Sequence, residues 1–547
     1  MEAASEKPPG QPARRRGPDL TTGPIGPTLI AFALPVLGSN IIQTLNGSVN
    51  TAWVSHILGP AALTASANAG QVFFLMIGVV FGISMAANLM IGQAVGARDE
   101  ATARRVVGTC TIFFIVASLA LALAGGILTP SILDAMGTPA DARPGAIVYL
   151  RMLFAAMPSV YFFNFVMMAQ RGVGDSRTPF YFAIVQVALD TLLNPLLIIG
   201  VGPFPKMGIV GSATATLLSQ SIVLAVMLIH LYRKKSILVV RPSQWRLLIP
   251  DVGMLKALVF KGMPMGFQMI VISVAGLTMM RFVNGYGTQT AAAYGAAMQL
   301  WNYVQMPAMA LSAAVSSMAA QNVGARRMDR VERVAWTGAG YALVAAVIPI
   351  ILILLSQRYV LQAFLPGDSP SLPIAERINM IAIWSFIPFG VAYAFSGVVR
   401  ATGVVWPPLL AMIVALWFVR IPYAEVMQHY WGADAVWSSF PLGSLVTLAF
   451  ALAYYRWGRW RTARLVDTVP HGETPDPGQG PSTGIEETEA QAEAVEDLRE
   501  SRPDAGLTPA ASNLSCHPGR SEAESRDPGG SAVRPPLGPG SACGRPG

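Results

Sequence analysis

The chain has 547 residues, 53% hydrophobic and only 12% charged, with a mean hydropathy of +0.49. Soluble domains carry about 25% charged residues, so a soluble globular protein is excluded and a polytopic membrane protein is indicated. The formal charge of +8 resides in short basic clusters between apolar runs, a pattern that sets membrane topology and gives no sign of a nucleic-acid partner.

Residues 1 to about 26 are polar and rich in Pro and Gly, with Arg14, Arg15 and Arg16, and read as a disordered cytoplasmic tail without a cleaved signal. Twelve apolar runs follow, at roughly 28–52, 63–91, 103–128, 146–168, 178–200, 208–231, 259–283, 291–319, 334–356, 378–398, 407–428 and 435–456. Each is near or above the ~20 residues a spanning helix needs. Basic residues crowd alternate connections, after the second, fourth, sixth, eighth, tenth and twelfth runs, so both termini are expected in the cytoplasm. Residues 27–232 form an amino-terminal lobe and 259–466 a carboxy-terminal lobe. Between them, 233–258 mixes basic residues with Trp245, Leu247 and Leu248 and reads as an interfacial cytoplasmic linker. The stretch 467–547 is rich in Pro, Gly, Ser and Glu and should be disordered.

Two lobes are expected because the chain repeats itself. Gln93, Val95-Gly96-Ala97-Arg98 and Arg105-Val106 recur 228 positions later as Gln321, Val323-Gly324-Ala325-Arg326 and Arg333-Val334. With a slip of one residue, Pro35, Arg171, Gly174 and Pro179 recur as Pro264, Arg400, Gly403 and Pro408. A repeat of six spans enters the membrane twice from the same side, so the fold class is all-α, with twelve transmembrane helices in two parallel six-helix repeats. A cleft between such halves, open to one side at a time, suits a transporter.

One run carries unusual cargo. The fifth places Gln186, Asp190 and Asn194 in steps of four, on one helical face. Asp190 is a carboxylate deep in an apolar run, where a charge costs at least ~2.5 kcal/mol unless it is solvated or paired. A working role as an ion-coupling group is the sharper reading. A neutral acid that merely hydrogen-bonds a neighbouring helix is the blander one. Cys110, Cys516 and Cys543 imply no disulfide framework, and the five histidines lack ligand spacing. No paired carboxylates or His/Asp cluster suggests an enzyme, and no cofactor is expected.

The duplicated halves, the Gln-x-VGAR segment with its echo, and the proline in the first helix of each half resemble the multidrug and toxic compound extrusion (MATE) family. That resemblance implies an antiporter that expels amphipathic, often cationic compounds by consuming a proton or sodium gradient. Val49-Asn50-Thr51 stands where relatives read Val-Asp-Thr, so Asn50 replaces a carboxylate. Asp190-Thr191-Leu192-Leu193-Asn194-Pro195 resembles the family's fifth-helix motif with the acid one turn earlier, and Thr216 matches a threonine near the amino-lobe cation site. The resemblance thus implies coupling through Asp190, Asn194, Asn50, Thr216 and Gln186. The ion is H+, or Na+ held at Asp190, whose oxygen ligands suit a hard cation.

A gating hinge is expected at Pro35, which deletes a helical hydrogen bond. Candidate substrate contacts are Asn40, Gln43, Gln71, Phe74, Tyr161, Phe163, Gln299, Trp301, Tyr303 and Trp384, whose rings and amides suit amphipathic ligands. Arg420 reads as a structural group in the eleventh run, or as a contact for anionic cargo. The function expected is export of amphipathic organic compounds by a monomer in a bacterial inner membrane. A lipid or lipid-linked oligosaccharide flippase is the alternative.

Overall fold

The computed structural model describes residues 19–139, 143–201, 205–240, 246–362, 364–365, 369–463 and 465. The expected tail at 467–547, most of the amino-terminal tail, and Arg241 and Trp245 of the linker lie outside these residues.

The described residues form twelve long helical segments. The first six are α1 (Ile25–Leu58), α2 (Pro60–Gly96), α3 (Glu100–Ala135), α4 (Arg143–Val173), α5 (Arg177–Ile199) and α6 (Ile209–Arg233). The second six are α7 (Val252–Asn284), α8 (Thr288–Gly324), α9 (Met328–Gln362), α10 (Ser371–Ala401), α11 (Trp406–Trp431) and α12 (Ala433–Trp457). Eleven of them are long and apolar enough to cross a membrane. The other is α8, whose lower hydropathy follows from its many Ala, Gln, Asn and Ser residues, and it packs among the rest as a full-length member.

The helices outrun the apolar stretches because local capping extends them. Asp99 accepts from Thr102 N at 2.9 Å and starts α3, Asp175 accepts from Thr178 N at 3.0 Å and starts α5, and Asp251 accepts from Met254 N at 3.1 Å and starts α7. At 37 residues, α2 and α8 are each about 55 Å long, so they project past a hydrocarbon core of about 30 Å or tilt within it. Two segments are irregular: α10 passes through a 3-10 turn at Ile383–Ser385, and α11 widens into a π-helical stretch at Val414–Arg420. α1 runs unbroken through Pro35.

Packing within the halves follows the duplication. In the first half α4 packs on α2, α3 and α6, and α5 on α6; in the second, α10 packs on α8, α9 and α12, and α11 on α12. The halves meet where α2 crosses α7 and α1 crosses α8. On the α2–α7 crossing a Cβ at Gly82 would collide with the backbone of Gly266, and one at Gly262 would lie 2.7 Å from the Ile83 Cα. Small residues spaced by four let the backbones touch.

The hydrogen bonds between halves gather at the VGAR ends of α2 and α8. There Gln93 Nε2 donates to Ala401 O at 2.7 Å, and Gln321 Nε2 donates to Gly172 O at 2.9 Å. Each carboxamide also accepts from a backbone amide outside the long helices: Gln93 Oε1 from Leu465 N at 3.0 Å, and Gln321 Oε1 from Leu20 N at 3.2 Å. The segment before α1 is tied further to the second half, because Arg327 donates to Thr21 O at 2.9 Å and Arg330 to Gly23 O at 2.8 Å. Gly96 lies directly against the Gln321 carbonyl and Gly324 against the Gln93 carbonyl, so neither place has room for a Cβ.

Candidate functional site

A cavity of about 450 Å³ opens inside the first half, between α1, α2, α4, α5 and α6. Its polar wall is built from helical stripes. On α1, Gln43, Asn46 and Asn50 follow in steps of three and four and share a face. On α6, Ser212, Thr216 and Ser219 do the same, and Gln220 joins Thr216 in the wall. From α4 come Tyr149, Phe163 and Asn164, and from α5 comes Gln186.

Asp190 sits immediately behind this wall, 1% exposed. Its Oδ1 accepts from Ser219 Oγ at 3.2 Å, and the side chains of Asn46 and Thr216 act on the same carboxylate. Its Oδ2 has no hydrogen-bond partner. One turn on, Asn194 Nδ2 donates to Asp190 O at 3.3 Å, which leaves Asn194 Oδ1 as a second buried oxygen without a donor. Asn50 Oδ1 accepts from Ser212 Oγ at 2.7 Å, with the Tyr149 hydroxyl beside them. The arrangement has a surplus of acceptors. Buried oxygens that lack donors are what a proton or a hard cation would satisfy.

The structure therefore brings Asp190, Asn194, Thr216 and Gln186 to one place, with Asn50 in the wall of the same cavity. Sequence reasoning missed Asn46, Tyr149, Ser212, Ser219, Asn164 and Gln220. The three-and-four spacing from Asn46 to Asn50 and from Ser212 to Ser219 was the signal that could have found the α1 and α6 members. Tyr149 and Asn164 gave none, since their place depends on how α4 packs.

The expected substrate contacts divide. Gln43 and Phe163 line the cavity. Tyr161 is buried beside it and donates to Met76 O at 3.2 Å. Asn40, Gln71, Phe74, Gln299, Tyr303 and Trp384 lie outside this cavity, with all but Asn40 exposed. Trp301 is 5% exposed in an aromatic cluster of the second half and donates from Nε1 to Asn379 Oδ1 at 3.2 Å. Pro35 is partly buried in α1, and Ser39 Oγ donates to its carbonyl at 2.9 Å.

Comparison with known proteins places these features in context. The MatE family model matches twice, over residues 35–196 and 264–426, once in each half. The probable multidrug resistance protein YoeA of Bacillus subtilis is 37% identical over 439 residues, covering 80% of this chain and 95% of that protein. The multidrug export protein MepA of Staphylococcus aureus is 23% identical over 446 residues, covering 79% and 94%. Among solved structures, a MATE protein in complex with MaL6 aligns with a TM-score of 0.74 at 22% identity, covering 81% of this chain and 97% of the other. A multidrug resistance MATE transporter in an outward-facing conformation aligns with a TM-score of 0.73 at 21% identity, covering 81% and 97%.

Proposed function

Since the chain belongs to the MATE family of multidrug efflux transporters, we propose that it is a secondary antiporter exporting amphipathic, cationic organic compounds in exchange for H+ or Na+. The observation that carries this reading is Asp190, a buried carboxylate with one oxygen free, separated from a 450 Å³ cavity by no more than the side chains that hydrogen-bond to it.

The chemistry is a competition for that carboxylate. A proton on Oδ2 neutralises Asp190 and removes the cost of a buried charge. Na+ would draw on the same carboxylate together with Asn194 Oδ1 and the Thr216 hydroxyl, oxygen donors suited to a hard cation. A cationic substrate entering the cavity meets amides, hydroxyls and rings, and its charge favours an ionised Asp190. Ion and cargo therefore exclude one another, which is what exchange requires. Pro35 lies in the helix that carries Asn46 and Asn50, and is the hinge through which occupancy of the site would bend α1.

With the VGAR ends of α2 and α8 in the cytoplasm of a bacterial inner membrane, the bonds made by Gln93 and Gln321 close the cytoplasmic side. Export then alternates between this closure and its opposite. The test is dye efflux from proteoliposomes, with pH and sodium gradients imposed separately. Gradient-driven efflux abolished by D190N supports the proposal. Efflux that stays fully coupled in D190N removes it, and lipid headgroup inversion without any gradient would favour the flippase reading.

A further inference from the structure

The second half holds a partly buried charge, its Nε fully buried, for which the function above has no use. Arg420 lies well inside α11, about 21 Å from one end of the helix and about 16 Å from the other at 1.5 Å per residue. A guanidinium at such depth is costly unless something answers it. Its Cζ lies over the Phe440 ring, 3.4 Å from the centroid. That contact offsets some of the charge but accepts none of the five N–H donors. Among the described residues neither a carboxylate nor a hydrogen-bond acceptor pairs with Arg420, and its Nε is buried without a partner.

The backbone is shaped around this side chain. Arg420 ends the π-helical stretch Val414–Arg420, a local widening that proteins retain mostly at functional sites. Opposite it on α12 is Gly443, where a Cβ would reach ordinary van der Waals contact with the Arg420 stem at 3.4 Å. A second orphan donor belongs to the same cluster. Asn379 is fully buried, and because its Oδ1 accepts from Trp301 Nε1, its orientation is fixed and Nδ2 is left without an acceptor. Trp301 in turn packs against Phe440, the ring beneath Arg420, at 5.1 Å between centroids.

These two clusters thus carry opposite deficits: buried oxygens without donors at Asp190 and Asn194, and buried donors without acceptors at Arg420 and Asn379. We infer that the aromatic cluster of the second half is an anion subsite, in which Arg420 and Asn379 bind a monoanionic acceptor, foremost the carboxylate of an exported amphiphile. The substrate class would then include zwitterions, with the ammonium group drawn to the first half and the carboxylate to the second. The source of the carboxylate rests on the efflux reading, whereas the subsite itself does not.

The test uses the full chain in lipid nanodiscs and reads binding by tryptophan fluorescence. One probe is an aromatic amine carrying a carboxylate, another is its methyl ester, and sodium chloride is compared with sodium gluconate. Wild type should bind the acid about tenfold or more tightly than the ester, the scale of one charge-assisted hydrogen-bonded pair. R420Q should bind acid and ester alike, and R420K, which keeps the charge but not the fork, should fall between. N379D preserves the acceptor for Trp301 while removing the donor and adding a competing carboxylate, so it should also lose the preference. If chloride binds wild type but not R420Q while acid and ester bind equally, the subsite stands and the carboxylate assignment is overturned. An acid preference retained in both R420Q and N379D, or the absence of both preference and chloride binding in wild type, overturns the subsite. Failure of the ester to bind wild type would count against the efflux reading alone, since the chloride arm does not depend on it.

Discussion

Gln93 and Gln321 occupy equivalent positions in the two halves and make the same pair of bonds to the opposite half. Each amide nitrogen reaches the carbonyl that ends the fourth helix of the other repeat, at Ala401 and Gly172, and each amide oxygen holds a backbone N–H just outside the helices, at Leu465 and Leu20. All four bonds are buried, so water does not compete for them.

Opening the closed end must break these bonds. At about 1 kcal/mol for each net hydrogen bond and two bonds per glutamine, Q93L or Q321L should shift the balance toward the open state by roughly thirtyfold, and the double variant by more than either. Spin labels at exposed positions 98 and 326 would report this as growth of a longer distance component. An unchanged distance distribution in the double variant would show that the glutamines do not hold the gate.

Gly96 and Gly324 predict a larger effect from a smaller change. Because a methyl group at either place would sit on the carbonyl of the facing glutamine, G96A or G324A must push the two turns apart, at a cost of about 1–3 kcal/mol for overpacking. The same labels should separate further in G96A than in Q93L, with loss of most gradient-driven efflux. G126A, at a glycine with open space around it, is the control and should behave as wild type.

At the proposed ion site, S219A removes the one donor placed at hydrogen-bonding distance on Asp190 Oδ1. A hydrogen bond to a charged group is worth about 1.5–3 kcal/mol, so efflux should fall roughly tenfold or more while remaining gradient-dependent. D190N should abolish the gradient dependence itself. N50D would add a second carboxylate to the cavity wall and should strengthen sodium dependence, measured as the sodium concentration giving half-maximal efflux. Sodium dependence unaltered in N50D would place the coupling cation away from α1.

Asp19 gives a pH-dependent prediction outside the membrane. Partial burial acts to raise its pKa, but hydrogen bonds from the Thr21 hydroxyl and amide, together with Arg98 and Arg327, outweigh burial and hold the carboxyl below its ordinary value. A lowered pKa means that the ionised form stabilises the folded segment above the unfolded pKa of about 3.9. That contribution is lost as pH falls through the folded value. D19N should therefore unfold at a lower temperature than wild type at neutral pH, with the difference closing below about pH 4. A difference that persists at pH 2 would assign the effect to something other than the charge.

Much of this molecule could be read before any coordinates. The twelve spans and the duplication were visible because membrane solvation forces long apolar runs and because Gln-x-VGAR returns with its register intact. Asp190 stood out for the same reason, as a charge where charges are expensive. What could not be read was which polar face of one helix meets which face of another. Asn50 is on the cavity wall, yet its hydrogen bond goes to Ser212, and the donor at hydrogen-bonding distance on Asp190 is Ser219, a residue indistinguishable in sequence from any serine that bonds back to its own helix. Trp301 was legible as an aromatic beside amides, but its partners were not: the ring packs against Phe440 and its Nε1 orients Asn379, contacts that depend on how α8, α10 and α12 meet.

The short segments at Leu20 and Leu465 are latches on the proposed gate, since each bonds to the glutamine of the half it does not belong to. Tension applied to either latch is transmitted to the gate before it reaches any helix. A rigid fusion joined close to Asp19 or just after Leu465 would therefore alter how readily the transporter changes state, even though it touches neither the ion site nor the cavity.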